Sequence, residues 1–257
     1  MQILGDTLEK IAYQKAGIIK ENSNTVIFNQ TEEINKIFID TCKKKNNKIH
    51  ILNEADIENY RYSDDVQIFD YKEFKNLELN LKGKMQIRNS SLCLETINIL
   101  NKLGYFVSSE SVEEGLRTVI HHGRMETLLD NPKIIFDGAH NLPAMESLIQ
   151  NVDMYYRNFK KIYIISILKR KNYDEMLEVL SKDKNSIFIL TSGNDSEKYT
   201  LNTELYSYAI KYKNKDEILL MDLQEAIEYV LNIKTKDICF CVGSFYTYKT
   251  VLDLIRK

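Results

Sequence analysis

The chain has 257 residues, of which 44% are hydrophobic and 28% charged, enough apolar material for two small cores. Its 35 Lys and Arg residues nearly cancel its 37 Asp and Glu residues, and a net charge of −2 argues against a protein that coats nucleic acid. The first twenty residues are unlike a secretory signal, no stretch approaches the roughly 18 uncharged apolar residues of a membrane span, and four cysteines are too few for a disulfide scaffold, so we expect a cytoplasmic protein with no membrane partner.

The first 119 residues mix helices and strands without a regular alternation. Residues 7–20 predict a helix, because Leu8, Ile11 and Ala12 recur at helical spacing. The other elements predicted in this part are strands at 25–28 and 48–52, a hairpin pair at 66–71 and 77–81, and helices at 31–45, 90–103 and 112–119.

From about residue 120 the pattern changes to a strict alternation of apolar strands and amphipathic helices. Such alternation is typical of an α/β domain with a mainly parallel sheet and helices on both faces. We therefore predict a domain boundary between residues 119 and 120. The predicted strands lie at 133–137, 162–168, 186–190, 218–221 and 237–242, and the helices at 143–156, 173–180, 202–213 and 223–231, with a last helix that ends at 255.

Lys15 lies on the same predicted helical stripe as Leu8, Ile11 and Ala12. On a buried face a lysine must extend its ammonium to water, pair with an acid or lose its charge. A neutral amine can take up carbon dioxide, and the carbamate oxygen is a ligand suited to a hard cation. The simpler alternative, which the stripe alone favours, is an ammonium that reaches water.

The segment DGAHN, residues 137–141, follows the apolar strand KIIF. In open α/β sheets ligands bind beyond the carboxyl ends of the strands, where helix N-termini present free N–H groups. Asp137 can accept a hydrogen bond from a ribose hydroxyl or orient a cation, and His140 can donate to a phosphate. The alternative is that Asp137 and Asn141 only stabilise a tight loop, and position alone leaves the two interpretations even.

Arg124 follows a glycine in HHGRME, just after the predicted domain boundary. An arginine there can bind a phosphate through two hydrogen bonds, although a surface arginine in a turn is the commoner arrangement. The sequence contains no G-x-x-x-x-G-K-[ST], G-x-S-x-G, H-E-x-x-H or G-x-G-x-x-G. It therefore offers no phosphate loop, serine hydrolase, zinc protease or dinucleotide motif.

Five segments of the chain form a recognisable series: LGDTLEKIAYQKAGIIK, QIRNSSLCLETINIL, HHGRMETL, DGAHNLPAMESL and GSFYTY. In order and spacing they resemble the folylpolyglutamate synthase/dihydrofolate synthase family of Mur-type ligases. The resemblance implies that residues 1–119 are the C-terminal part of a central ATPase domain and residues 120–257 a Rossmann-like C-terminal domain. It also implies ATP-dependent addition of L-glutamate to a folate or dihydropteroate through an acyl phosphate, by a ligase that is a monomer when intact.

The resemblance implies roles for single residues as well. Lys15 matches the lysine whose carbamate helps to hold Mg²⁺, and Asn89, Arg124 and Asp137 match nucleotide contacts. His140 is expected near the phosphates, so Lys15 and His140 are the expected catalytic residues. The expected cofactors are ATP and Mg²⁺.

Three departures from the family pattern affect these expectations. His122 stands where the family usually has proline, and Met85 stands where histidine is common. In the family an Asp-His pair precedes x-x-x-L-G, with the phosphate loop further upstream, whereas three residues precede Leu4 here. We therefore expect the C-terminal part of a ligase.

The alternative function is a catalytically inactive fragment or a partner-dependent nucleotide-binding module. Phosphoryl transfer without a phosphate loop loses its main positioning device. A third interpretation, an unrelated nucleotide-binding α/β module, requires the order of the five segments to be accidental.

Overall fold

The computed structural model describes residues 5, 7–63, 66–193, 195 and 197–256. The chain divides into two compact units. The first comprises Met1–Asn80 with Lys84–Val119, and the second comprises Leu81–Gly83 with Ile120–Lys257.

The first unit contains two small sheets and four helices within the described residues. Two parallel strands, Asn24–Phe28 and Lys48–Leu52, pair in one sheet, and three antiparallel strands form the other. In chain order the elements are α1 (Leu8–Ala16), β1 (Asn24–Phe28), α2 (Glu32–Lys44), β2 (Lys48–Leu52), β3 (Ile57–Tyr62), β4 (Gln67–Tyr71), β5 (Phe74–Leu79), α3 (Lys84–Lys102) and α4 (Ser109–Thr118).

The structure corrects the predicted burial of Lys15. The side chains of α1 and the following turn that pack on α2 are Ala12, Ala16 and Ile19, whereas Leu8 is 67% exposed and Lys15 is exposed. Successive residues of a helix are about 100° apart, so Lys15 points well away from the direction of Ala16. The buried face of α1 is narrower than the apolar stripe suggested, and desolvation of the Lys15 ammonium was the wrong inference.

Two further differences in the first unit have local causes. The helix predicted at 90–103 begins six residues earlier, at Lys84, because Ile87 is buried and extends the apolar face by one turn. Strand β3 was missed because most of its residues are exposed, so IENYRY lacks the clear apolar alternation by which strands are recognised.

The second unit confirms the predicted α/β class with a mainly parallel sheet. Within its described residues six strands lie in the order β10-β9-β8-β11-β7-β6, and all neighbouring pairs are parallel except β6 with β7. The elements are β6 (Glu126–Asp130), β7 (Lys133–Phe136), α5 (Leu142–Tyr156), β8 (Lys161–Ile165), α6 (Tyr173–Leu180), β9 (Ser186–Leu190), α7 (Asn202–Ala209), β10 (Ile218–Leu220), α8 (Leu223–Leu231), β11 (Ile238–Val242) and α9 (Tyr248–Ile255).

Helices cover both faces of this sheet, as the apolar strands require. On β8, Tyr163 and Ile165 join a core with α5, α6 and α7, while Ile162 and Ile164 join a second core with α8 and α9. Alternate residues of a strand point to opposite faces, so a strand buried on both sides is apolar throughout. No helix in the described part of the chain is both long enough and apolar enough to cross a bilayer.

The strand order creates a switch point between β7 and β11. These strands are neighbours, but the chain leaves β7 towards α5 on one face and leaves β11 towards α9 on the other. In such sheets the ligand crevice usually lies at the carboxyl ends of neighbouring strands whose helices cover opposite faces. The edge strand β6 runs antiparallel beside β7 and was not predicted.

Candidate functional site

Asp137 lies directly after β7, at the crevice, and is only 8% exposed. Its Oδ2 accepts from the N–H of Met125 at 3.0 Å, and its Oδ1 accepts from the N–H of Ala139 at 2.8 Å. Burial raises the pKa of Asp137 above the ordinary aspartate value, against the opposing effect of these N–H groups and of the charge of Arg124. Each carboxylate oxygen still has capacity for another donor, so Asp137 can both fix the loop and accept from a ligand.

Three of the five segments meet at this point. The N–H of Gly138 donates to the carbonyl oxygen of Gly123 at 2.8 Å, which joins DGAHN to HHGRME. The N–H of Gly243 donates to the carbonyl oxygen of Ala139 at 2.9 Å, which joins DGAHN to the segment before α9. Residues separated by more than one hundred positions thus form one hydrogen-bonded group at the switch point.

Gly243 must be glycine for two separate reasons. Its φ of +101° lies in the region that other residues rarely adopt, and a Cβ there would stand 2.4 Å from the carbonyl oxygen of Ser166. The tight turn puts Ser244 two residues after the end of β11, where its Oγ accepts from the N–H of Tyr246 at 3.2 Å. The Ser244 hydroxyl is therefore placed between the carboxyl end of β11 and the start of α9.

Arg124 lies in the turn that precedes β6, directly before Met125, whose N–H donates to Asp137. Its backbone N–H donates to the carbonyl oxygen of His121 at 3.2 Å. Within the residues that the structure describes, the half-buried guanidinium has no hydrogen bond or ion pair. A guanidinium held close to Asp137 with its donors uncommitted is suited to an anionic ligand such as a phosphate.

His140 and Asn141 complete the loop after β7. The Nδ1 atom of His140 lies 2.8 Å from the carbonyl oxygen of Gly138, and because a carbonyl only accepts, Nδ1 carries the hydrogen. Asn141 caps α5, its Oδ1 accepting from the N–H of Ala144 at 3.0 Å. The loop therefore has the capping role that the sequence suggested, and it also brings the His140 ring beside the crevice.

Lys15 and Asn89 belong to the first unit, and their proposed roles stay predictions. Lys15 is exposed near the end of α1. Asn89 is exposed on α3, where its Nδ2 donates to Oε1 of Gln86 at 3.1 Å.

Two pairs of hydroxyl side chains also lie at the site; Ser166, Thr191 and Tyr199 were missed in the sequence, whereas Ser244 stands in GSFYTY. Ser166 and Thr191 follow β8 and β9, and their hydroxyl oxygens lie 2.7 Å apart in a buried position. The hydroxyl groups of Tyr199 and Ser244 lie 3.3 Å apart. The signal that was available is the Ser or Thr that directly follows an apolar strand, at the edge where Asp137 also lies.

The expected Mg²⁺ does not fit the side chains that are described. Among the described ranges there is no group of three or more His, Cys, Asp and Glu side chains placed to hold a metal ion. Lys15 would be a single ligand, and it is exposed rather than enclosed.

Known proteins match both the sequence and the fold. Residues 123–245 match the family model described as Mur ligase, glutamate ligase domain. A dihydrofolate synthase/folylpolyglutamate synthase of Bacillus subtilis is 27% identical over 254 residues, which cover 96% of this chain and 58% of that protein. The crystal structure of a Thermotoga maritima folylpolyglutamate synthase superposes with a TM-score of 0.80 at 26% identity, covering 99% of this chain and 59% of that one.

The chain is thus similar in sequence and in fold to folylpolyglutamate synthases and dihydrofolate synthases. A Mycobacterium tuberculosis folylpolyglutamate synthase, solved in complex with ADP and AMPPCP, shares the fold with a TM-score of 0.85 at 19% identity, over 100% of this chain and 61% of that one. The chain thus spans less than two thirds of the length of these relatives.

Proposed function

We propose that this chain forms the nucleotide-facing and glutamate-facing part of an ATP-dependent ligase that adds L-glutamate to a folate or dihydropteroate. The observation that carries the proposal is the meeting of Asp137, Arg124 and Ser244 at the switch point between β7 and β11. The family supports the reaction class, and relatives were solved with ADP bound, which supports ATP as the nucleotide.

The reaction requires little covalent chemistry from these side chains. ATP phosphorylates the substrate carboxylate, the amine of glutamate attacks the acyl phosphate, and phosphate leaves as the amide forms. Arg124 neutralises phosphate charge through its guanidinium, and Asp137 accepts from a hydroxyl of the nucleotide. The Nδ1–H of His140 is already bound to the Gly138 carbonyl, so only the Nε2 edge of the ring can face the phosphates. Such electrostatic stabilisation and positioning supply most of the rate in phosphoryl transfer.

Nucleotide binding by the full chain tests this proposal. We expect ADP to bind, as measured by titration calorimetry, and Arg124→Lys to weaken binding by about tenfold or more because an ammonium cannot reproduce two parallel hydrogen bonds. Arg157→Lys is the matched control, since Arg157 is an exposed guanidinium of the same unit that pairs with Asp153. Absence of ADP binding by the unmodified chain would contradict the proposal.

A second function, a nucleotide-binding module without ligase activity of its own, is favoured by one observation. The 257 residues contain no G-x-x-x-x-G-K-[ST] to hold the phosphates. On this ground we expect no glutamylation of tetrahydrofolate or dihydropteroate when the chain alone is incubated with ATP, Mg²⁺ and glutamate and the products are weighed by mass spectrometry. Clear glutamylation by the chain alone would exclude the module without ligase activity and would support the ligase.

A further inference from the structure

Glu126, the first residue of β6, gathers three donors that the reaction above does not use. Its Oε2 accepts from the N–H of Gly123 at 2.6 Å. Its Oε1 accepts from the hydroxyl of Tyr248 at 3.0 Å and lies 2.9 Å from Nδ1 of His122. Although burial opposes it, the Gly123 N–H and the His122 and Tyr248 side chains hold the pKa of Glu126 below the ordinary glutamate value. The group is therefore a carboxylate.

The turn from Gly123 to Glu126 contains Arg124, the proposed phosphate contact. Arg124 and Met125 lie between Gly123 and Glu126, so the Oε2 contact spans the turn that presents the guanidinium. Gly123 has φ of +71° and Met125 has φ of +47°. A left-handed conformation is strained for a residue other than glycine, and it persists only where surrounding contacts stabilise it. The contacts here are the Met125 N–H on Asp137 and the Gly123 N–H on Glu126.

Tyr248 connects this turn to the segment after β11. Tyr248 is the first residue of α9, and its ring stacks on that of Phe245 at 5.7 Å between centroids. Phe245 in turn lies so close to Gly123 that a Cβ there would stand 2.5 Å from its Cε2 atom. The Glu126 carboxylate thus joins the Arg124 turn to the Ser244 segment through a side-chain hydrogen bond, beside the backbone contacts already described.

We propose that Glu126 is a positioning residue for nucleotide binding, which sets the place of Arg124 by fixing the Gly123 turn against Tyr248. His122, which stands where the family usually has proline, is a further partner of the same carboxylate in this chain. The inference rests on the proposed function, because the ligand that Arg124 meets is the nucleotide of that proposal. Glu126 contacts no reacting atom and acts through Arg124.

A double-mutant cycle on the full chain tests the inference. We expect Glu126→Gln to raise the dissociation constant for ADP by about tenfold, since one amide cannot accept from both the Gly123 N–H and the Tyr248 hydroxyl at full strength. Tyr248→Phe should give a smaller increase. In the Arg124→Ala background, Glu126→Gln should add little, because the residue through which it acts is gone. Glu228→Gln, an exposed glutamate of the same unit, is the control and should leave the affinity unchanged.

A second measurement tests the stability of the Gly123 turn in the absence of nucleotide. In Glu126→Gln, amide hydrogen exchange should quicken at Gly123 and Met125 while the amides of β8 and β11 keep their protection. Equal ADP affinity of Glu126→Gln and the unmodified chain, an additive effect in the Arg124→Ala background, or unchanged exchange at Gly123 would each overturn the inference. If the unmodified chain binds no ADP, the nucleotide proposal fails, and unchanged or quickened exchange still decides whether Glu126 fixes the turn.

Discussion

The backbone N–H of Met125 donates to Oδ2 of Asp137 at 3.0 Å, so the turn before β6 and the loop after β7 hold each other in place. Met125 adopts φ of +47° with its side chain buried in the core of the second unit. The hydrogen bond and the buried side chain offset the cost of that conformation. Asp137 is consequently part of the framework of the site as well as a contact for the nucleotide.

Asp137→Asn should weaken this framework. An amide has one accepting oxygen, so its NH₂ group would face one of the two N–H donors now bound by the carboxylate. We expect the free energy of unfolding to fall by about 1–3 kcal/mol, measured by urea denaturation followed by circular dichroism. Asp153→Asn, at an exposed position, is the control. Equal stability of the Asp137 variant and the unmodified chain would mean that the two N–H contacts contribute nothing.

A comparison of Gly243→Ala with Gly104→Ala separates the steric cost of an added Cβ from the conformational cost of a positive φ. Both glycines have φ near +100°, but a Cβ at Gly243 would meet the Ser166 carbonyl oxygen at 2.4 Å, whereas nothing lies within 4 Å of a Cβ at Gly104. Gly104→Ala should therefore cost about 1–2 kcal/mol, and Gly243→Ala more than about 4 kcal/mol, enough to abolish cooperative unfolding of the second unit. Thermal melts compare the two. Similar losses of stability in both variants would show that the turn after β11 can shift to accommodate a Cβ at little cost.

The first unit contains a buried carboxylate whose contribution depends on pH. Glu95 on α3 accepts from the hydroxyl of Tyr71 at 3.0 Å and from Nζ of Lys72 at 2.6 Å. Burial alone would raise the pKa of Glu95, but these two donors hold it below the ordinary value of 4.5. Because the folded state binds the proton less tightly than the unfolded state, the stabilisation is complete above pH 4.5 and is lost as the pH falls through the lowered pKa.

Glu95→Gln should accordingly destabilise the chain by about 2 kcal/mol at pH 7, and the difference from the unmodified chain should shrink below pH 4.5. Denaturation curves at a series of pH values measure it. Glu54→Gln is the control, because Glu54 pairs with Arg88 but is largely exposed. A difference for Glu95→Gln that stays constant from pH 7 to pH 3 would exclude the ionised form as its source.

Lys15→Ala should change the free energy of unfolding by less than about 0.5 kcal/mol, because the side chain is exposed on α1. In the isolated chain we expect an unmodified amine, which carbon-13 NMR of protein equilibrated with labelled carbon dioxide would reveal by the absence of a carbamate signal. A carbamate that disappears in Lys15→Ala would contradict this expectation and would support the metal-ligand role that the family resemblance implies.

Hydrogen exchange should distinguish the two units. Strands β8 and β11 are fully buried between helices, whereas β1 and β2 form a two-stranded sheet with mostly half-exposed residues. Amides of the second unit should therefore exchange more slowly than those of residues 7–110. Equal protection of both parts, measured residue by residue, would indicate that the first unit is as stable by itself as the second.

The sequence predicted the second unit better than the first for a physical reason. Helices α6 and α8 and strand β9 have the predicted bounds, because a strand buried on both faces is a continuous apolar run and its flanking helices have one clear apolar face. Strands β3 and β6 were missed because edge strands and half-exposed strands carry charged residues that break the pattern. Helical periodicity also could not tell which of two adjacent stripes of α1 is buried.

The site was predictable only where its residues follow a strand. Asp137 and His140 were found because they follow β7, and the carboxyl ends of parallel strands are the usual ligand position. The contact of Glu126 with Tyr248 joins residues 122 positions apart and leaves no local pattern. Glu126 lies in HHGRMETL and Tyr248 in GSFYTY, but neither segment indicates a contact with the other.

Both borders of the large sheet are poor templates for a further strand. On one side β10 has three residues, and on the other β6 is interrupted by a register shift between Thr127 and Leu129 and has an acid at either end, Glu126 and Asp130. A short or irregular charged border resists pairing with the same border of another molecule. The apolar strands at the centre of this unit are therefore shielded from intermolecular β-aggregation at high protein concentration.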